Sequence, residues 1–217
     1  MPNEVRGFND TIAWYDANAE KYATNIESFP SENLLDRFAK AVGKGGKVLD
    51  AGCAAGRDCG LLKDRGLVPV GIDLSEPLIE IARKRHPDIE FKRGDFRQLP
   101  FEDASFDGVW AHASLLHFET TQDVVMALQE FNRILRPNGI IHVFVKQQTG
   151  TEKTSVVSDK LSGHNRFFQW FTKKEVQELL GVTNFTIVDI QDDYKDPVGR
   201  DEVKWVVALA KKRGSIL

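Results

Sequence analysis

A single α/β domain with a doubly wound, mostly parallel sheet is the fold class that this 217-residue sequence predicts. Three observations predict it. From residue 47 to 146, short apolar runs alternate with amphipathic helical stretches, the order from which parallel sheets are built. The run 140–146, Ile-Ile-His-Val-Phe-Val-Lys, is almost continuously apolar, as a strand covered on both faces should be. The first strand ends in an acid and passes through a loop of small residues, Asp50-Ala51-Gly52-Cys53-Ala54-Ala55-Gly56-Arg57, into a helix. Such loops bring backbone close to a ligand, because glycine removes the Cβ and permits positive φ. The helix behind them points unpaired N–H groups at it.

Each element follows from local signals. Residues 1–8 read as a loose tail. Asn9 and Asp10 are good N-cap types, and Ile12, Tyr15, Ala19, Tyr22 and Ile26 recur at helical spacing, so one helix is expected over 11–26. Pro30 breaks it. Ser31 is expected to cap a second helix over 32–42, with Leu34, Leu35, Phe38 and Val42 on its buried side and Gly43, Gly45 and Gly46 ending it. Strands follow at 47–50, 68–73, 89–93, 106–112 and 140–146. Between them lie a helix over 58–65 that ends at Gly66, one from the Ser75 cap to about 85 that stops at Pro87, and one that starts after Thr120. There Thr120 with Asp123 resembles a capping box, and Val124, Leu128, Phe131 and Leu135 follow at helical spacing. Arg136-Pro137-Asn138-Gly139 reads as a turn. Residues 147–165 are polar and aperiodic, the mark of a lid or binding loop. Thr172 and Glu175 form a capping box for a helix to about 180, and 185–191 with 205–211 read as a hairpin around a polar turn at 192–202. Nothing divides the chain. Residues 1–43 are read as cap helices, 47–146 as the ligand-binding core, 147–171 as a lid and 172–217 as the closing helix and strands of one domain.

Composition narrows the partners. The chain holds 29 Lys and Arg against 32 Asp and Glu, a net charge of −3, which argues against nucleic acid. Cys53 and Cys59 match neither a zinc spacing nor a redox pair, so reduced thiols and no metal are expected. The N-terminus has no apolar signal core and no run nears transmembrane length, so a soluble, cytoplasmic protein without a membrane partner is expected.

Open α/β sheets hold ligands beyond the carboxyl ends of their strands, where strand order reverses. The residues there are Asp50 to Arg57, Asp73-Leu74, Asp95-Phe96, Ala111-His112-Ala113 and Lys146. A dinucleotide asks for G-x-G-x-x-G. Ala54 and Arg57 stand where its second and third glycines belong, which counts against NAD and FAD. S-adenosylmethionine has a ribose and an adenine but no pyrophosphate. Asp73 stands near the spacing of a ribose acid, and Asp95-Phe96 offers an acid for the adenine amino group and a face for its ring.

The stretch Val48-Leu49-Asp50-Ala51-Gly52-Cys53-Ala54-Ala55-Gly56-Arg57-Asp58 resembles the first motif of class I S-adenosylmethionine-dependent methyltransferases. Gly71-Ile72-Asp73-Leu74-Ser75 resembles their second. Gly94-Asp95-Phe96 with Leu99-Pro100-Phe101, and then Ser105-Phe106-Asp107-Gly108-Val109-Trp110, resemble the third and fourth. Arg133 to Gly139 resembles the turn before strand five. The resemblance is strongest to the small-molecule, type 11-like branch. It implies a Rossmann-like seven-stranded sheet with an antiparallel C-terminal hairpin and helices on both faces. It places Asp50, Ala51, Gly52 and Gly56 around the methionine moiety, Asp73 and Leu74 at the ribose, Asp95 and Phe96 at the adenine, and Ala111 beside the cofactor after strand four. Arg57 pairs either with the cofactor carboxylate or with Asp58 or Asp64. Tyr22 shares a helix face with Tyr15 in a stretch similar to the family's N-terminal cap helix, where one of them closes over the cofactor or both pack the core.

Methyl transfer from a sulfonium is an in-line displacement at an activated carbon. Alignment of the reactants supplies about 7–11 kcal/mol, and a general base adds only about 10²–10⁴-fold, so no triad is needed. His112 and His117 are the candidate bases, each alternatively a histidine satisfied by local hydrogen bonds. His117, Lys146 and Arg166 are the candidate substrate contacts. The two cations suit an anionic acceptor or are simply solvated charges. Phe167, Phe168, Trp170 and Phe171 either roof the acceptor or pack the lid. Enzymes that methylate amide or base nitrogens carry Asn- or Asp-Pro-Pro-aromatic after strand four. Ala111-His112-Ala113-Ser114 stands there instead, which disfavours those acceptors. The expectation is an enzyme that uses S-adenosylmethionine on a small-molecule acceptor, with the oligomeric state open. The alternatives are a cofactor-binding regulatory module without turnover and, behind it, a nucleotide-dependent oxidoreductase.

Overall fold

The computed structural model describes residues 7–26, 31–158, 163–197 and 199–214. The elements in chain order are α1 (Gly7–Ala17), α2 (Ala19–Ile26), α3 (Glu32–Val42), β1 (Lys47–Ala51), α4 (Arg57–Asp64), β2 (Val68–Asp73), α5 (Glu76–Arg85), β3 (Glu90–Arg93) and β4 (Phe106–His112). A 3-10 turn (Leu115–His117), α6 (Thr121–Ile134), β5 (Leu135–Lys146), β6 (Thr154–Ser158), β7 (Asn165–Gln169), α7 (Lys173–Val182), β8 (Phe185–Lys195) and β9 (Lys204–Lys212) complete them. Seven strands form one sheet in the order β3-β2-β1-β4-β5-β9-β8. The first five are parallel, and β9 runs antiparallel to both β5 and β8. Strand order reverses between β1 and β4, and that is where the site lies. The core beneath it is close-packed, with Phe38, Leu49, Ile72, Phe106, Trp110, Phe131 and Phe144 all buried. Each such side chain contributes about 1.5–3 kcal/mol by leaving water.

Six expectations need correction. The helix over 11–26 is two helices. The break falls at Asn18, whose side-chain amide and backbone N–H both donate to the Trp14 carbonyl, at 2.9 and 3.0 Å, with α1 ending at Ala17 and α2 starting at Ala19. Asn9 and Asp10 do not cap, since α1 already runs through them. The Asp10 carboxylate instead accepts from the Asn165 backbone and side chain at 3.0 and 2.9 Å. Ser31 precedes α3 but makes no capping bond, and its buried hydroxyl has no partner among the described residues. The turn at 136–139 lies inside β5. Leu135 pairs with Phe106 and Ile140 with Gly108, so 136–139 bulge out of the ladder, with Asn138 at φ 68°. Residues 147–165 are not one irregular loop, for β6 and β7 pair antiparallel as a separate ribbon. On the other edge of β7, the Phe167 N–H donates to Thr11 Oγ1 at 2.8 Å, so α1 covers it. Of the expected tail over 1–8, Gly7 and Phe8 already belong to α1, while residues 1–6 and the break at Pro30 lie outside the described residues.

The other helix-cap signals agree with the structure. The Thr172 capping box is complete, and Ser75 accepts from the Leu78 N–H. Thr120 accepts from the Asp123 N–H and donates its hydroxyl to the Asp123 carboxylate. Among the described residues, no helix is long and apolar enough to cross a membrane, and no cluster of three His, Cys, Asp or Glu is arranged to hold a metal.

Candidate active site

The glycine loop is built by contacts that only its small residues permit. Gly52 has φ 89°, and a Cβ there would sit 2.5 Å from Ser114 Cβ. Its N–H and that of Cys53 both donate to the Ile72 carbonyl, at 2.9 and 3.1 Å, which folds the loop back across the end of β2. Ala54 is also left-handed, at φ 46°, and its N–H donates to Asp73 Oδ2 at 3.0 Å. The other Asp73 oxygen accepts from the Ser75 N–H at 2.9 Å. Burial raises the Asp73 pKa in spite of these two donors. Asp50 is pushed well above the ordinary carboxyl range by burial and then by the charge of Asp58.

Above this loop lies a cavity of about 360 Å³, within the range of small-molecule sites. Asp50, Gly52, Asp73, Leu74, Asp95 and Phe96 line it from the β1, β2 and β3 ends, and Tyr22 and Arg57 join them. Of the expected cofactor contacts, Ala51, Gly56 and Ala111 are not in its wall. Ala51 and Ala111 are fully buried in the core. Gly56 is instead a packing glycine, at φ 82° and with no room for a Cβ before Phe91 Cζ at 2.9 Å. Asp95 is already gripped by Arg97 at 2.7 Å, and Arg97 also reaches Asp123 at 2.8 Å. Arg57 lines the cavity while holding Asp58 at 2.6 Å. Asp58 in turn accepts from the Trp110 indole at 2.9 Å.

The other half of the cavity carries the histidines and cations. His117 Nδ1 lies 2.8 Å from the Phe167 carbonyl, which only accepts, so Nδ1 bears the proton. Nε2 then accepts from the Tyr15 hydroxyl at 3.0 Å. Both nitrogens are used, tying α1 and β7 to the 3-10 turn. Burial, with Arg166 and Lys146 nearby, brings the His117 pKa down to about 4. His112 shares a hydrogen bond of 3.2 Å between its Nδ1 and His142 Nε2, and burial also takes it to about 4. Lys146 Nζ stands 3.7 Å over the Phe168 ring. Arg166 lies 4.0 Å over Trp14, its buried Nε without a hydrogen-bond partner among the described residues.

Sequence reasoning missed several wall residues. Phe8, Thr11 and Ile12 come from α1, Ser114 follows β4, and Asp196, Arg200 and Trp205 come from the β8–β9 hairpin. Asp196 is buried and accepts from Arg200 at 2.7 Å and from the Trp205 indole at 2.9 Å. Burial works against its charge, but Arg200 and Trp205 hold its pKa at about 2. Only the placement of Trp205 at the start of an expected strand hinted at this group.

Residues 49–143 match the family model described as a methyltransferase domain. A demethylmenaquinone methyltransferase of Beutenbergia cavernae is 31% identical over 139 residues, which are 64% of this chain and 56% of the relative. The chain spans about half the length of the curated relatives it matches of that kind, or less. An O-methyltransferase of Aspergillus sclerotiorum, resE, is 26% identical over 223 residues, covering 98% of this chain and 79% of the relative. Among solved structures, the 1,6-didemethyltoxoflavin-N1-methyltransferase of Burkholderia thailandensis, crystallised with 1,6-didemethyltoxoflavin and S-adenosylhomocysteine, superposes with a TM-score of 0.75. It covers 94% of this chain and 88% of its own at 21% identity, a likeness of fold.

Proposed function

We propose that this chain, whose residues 49–143 match a methyltransferase domain, transfers a methyl group from S-adenosylmethionine to a small-molecule acceptor. The observation that carries the reading is the set of acids around one cavity at the reversal of strand order, beside a loop in which Gly52 has no room for a side chain. The residues fit the donor. Gly52 presents bare backbone, Asp73 keeps lone pairs beyond its two backbone bonds for ribose hydroxyls, and Asp95 with Phe96 offers an acceptor and a ring for adenine. Bound there, the donor supplies a methyl group on a sulfonium, already activated for displacement. The chain's own part is alignment and exclusion of water. Tyr15, Tyr22 and the β6–β7 ribbon close the cavity from above, Tyr15 through His117. His117 has no free nitrogen to act as a base, so its role is to position the lid.

A relative named as a demethylmenaquinone methyltransferase and a fold neighbour crystallised with 1,6-didemethyltoxoflavin are consistent with a small acceptor for this chain. Isothermal titration with S-adenosylhomocysteine and with NAD tests the reading. Binding of the first and not the second is expected. Binding of NAD alone, or of neither, would sink it.

A further inference from the structure

Resting on that reading, we propose that the acceptor is an oxyanion on an apolar body, a carboxylate or an ionised phenol or enol, whose charge is held by Lys146. The first observation is how charge is divided within the cavity. The acids Asp50, Asp73 and Asp95 lie at the β1, β2 and β3 ends, where a sulfonium, a ribose and an adenine amino group call for acceptors. Lys146, Arg166 and Arg200 lie on the other side, from β5, β7 and the β8–β9 hairpin.

The second observation is that Lys146 has no carboxylate partner within ion-pair distance among the described residues. Asp196, whose charge acts on Lys146, already accepts from Arg200 and Trp205. Lys146 rests instead on the Phe168 ring, and burial together with Arg200 and Arg166 lowers its pKa to about 8. A half-buried cation pressed by two others is relieved by an anion from outside. The walls agree. Phe144 is sandwiched between His112 and Trp205, each with ring centroids 4.3 Å away, so only its edge meets the cavity. Ring edges carry the positive end of the aromatic quadrupole, which favours negative charge beside them.

The third observation concerns protons. When an oxyanion takes a methyl group from a sulfonium, a C–O bond forms as the C–S bond breaks. The electron pair passes to sulfur, and no proton is released. That matches a site whose His117 has both nitrogens engaged and whose His112 shares Nδ1 with His142. An ammonium acceptor would have to enter beside Lys146 and Arg166 and then lose its proton where neither His117 nitrogen is free to take it.

The test uses the full chain saturated with S-adenosylhomocysteine, so that failure of donor binding is seen first and separately. At about pH 7.5, where carboxylates and acidic phenols are ionised, 2-naphthoate and 4-nitrophenolate are titrated against neutral 2-naphthamide and 4-nitroanisole and the cation 2-naphthylmethylamine. At least one anion is expected to bind about tenfold or more tighter than its neutral counterpart and than the amine, as for a charge-assisted contact. Which anion wins separates an ester-forming from an ether-forming acceptor. Lys146→Met should erase the preference and Lys146→Arg should keep it, with S-adenosylhomocysteine affinity unchanged in both. Equal or tighter binding of the amide or amine, binding of neither anion, or an unchanged preference in Lys146→Met would overturn the proposal.

Discussion

Asp73→Asn separates two jobs that the structure gives to one carboxylate. Asp73 holds the glycine loop by accepting from Ala54 and Ser75, and its remaining lone pairs face the cavity. Asparagine keeps one oxygen for one of those donors and turns an amide N–H₂ toward the other. Losing a hydrogen bond to a charged acceptor costs about 1.5–3 kcal/mol. Removing a carboxylate that burial disfavours offsets part of that. The net loss of stability should be about 1–2 kcal/mol, a shift of a few degrees in Tm. Donor binding has no such offset. Loss of the bond to the ribose hydroxyls should weaken S-adenosylhomocysteine by about 1.5–3 kcal/mol, or roughly 10–150-fold in Kd. The sign of the pH effect is also fixed. A carboxyl whose folded pKa lies above its unfolded value adds stability below the unfolded value and loses it as pH rises through the folded one. The Asn variant should lack that decline. Calorimetric titration and thermal melts on the same samples read both quantities. A lower Tm with unchanged Kd would refute the ribose assignment and leave Asp73 as a loop clamp.

Other perturbations follow from single contacts. Ala54 sits at φ 46°, which costs an L residue about 1–2 kcal/mol, while glycine adds back about 0.5–1 through unfolded-state entropy. Ala54→Gly should therefore raise the urea midpoint slightly, and a clear fall would contradict the strain. Trp110→Phe removes the indole bond to buried Asp58 and should lower stability by about 1.5–3 kcal/mol in urea unfolding. His117, at about pKa 4 against an ordinary 6.5, refuses a proton that the unfolded chain accepts. Its contribution is whole above 6.5 and falls by up to about 3 kcal/mol as pH drops to 4. The difference between wild type and His117→Gln across that window isolates it from Asp50 and Asp73, whose raised pKa values act in the opposite sense. For Lys146, facing Arg166, Arg200, Asp196 and His117, binding of an anionic probe should weaken as pH rises through about 8, and a flat profile would count against its charge.

The parallel half of the molecule was legible because its signals are local. A buried strand shows as an apolar run, and a strand end is one residue further on, so Asp50, Asp73, Asp95 and Lys146 could be placed at one edge of the sheet. What was illegible depends on contacts far apart in the chain. Asp10 and Thr11 have the composition of a helix start, yet they serve residues 165 and 167. The polar stretch after β5 gave no strand signal because β6 and β7 pair only with each other. Ser31 shows the converse: a residue of the right type at the right position leaves its hydroxyl unbonded. Of the three expected contacts absent from the cavity wall, Ala51 and Ala111 are buried in the core and Gly56 packs against Phe91, surroundings that a motif does not reveal.

The reversal of strand order also explains why one half of the site is so much more constrained than the other. On the β1–β3 side, each small residue is held by a neighbour. A Cβ on Gly52 would strike Ser114, one on Gly71 would meet Phe91 at 2.5 Å and Cys53 Sγ at 2.8 Å, and one on Gly56 would meet Phe91 and His86. A substitution there disturbs the core and the ligand together, so the recognisable motifs and the packing glycines coincide. On the β5–β9 side, Lys146, Arg166, Asp196, Arg200 and Trp205 stand on strand ends, a detached ribbon and a hairpin turn. None of Lys146, Arg166 and Arg200 is fully buried, and all three lie outside β1 to β4. On the proposed function, a fold arranged in this way would keep its donor chemistry in the part of the sequence that patterning reveals, and its choice of acceptor in side chains that only the folded chain brings together.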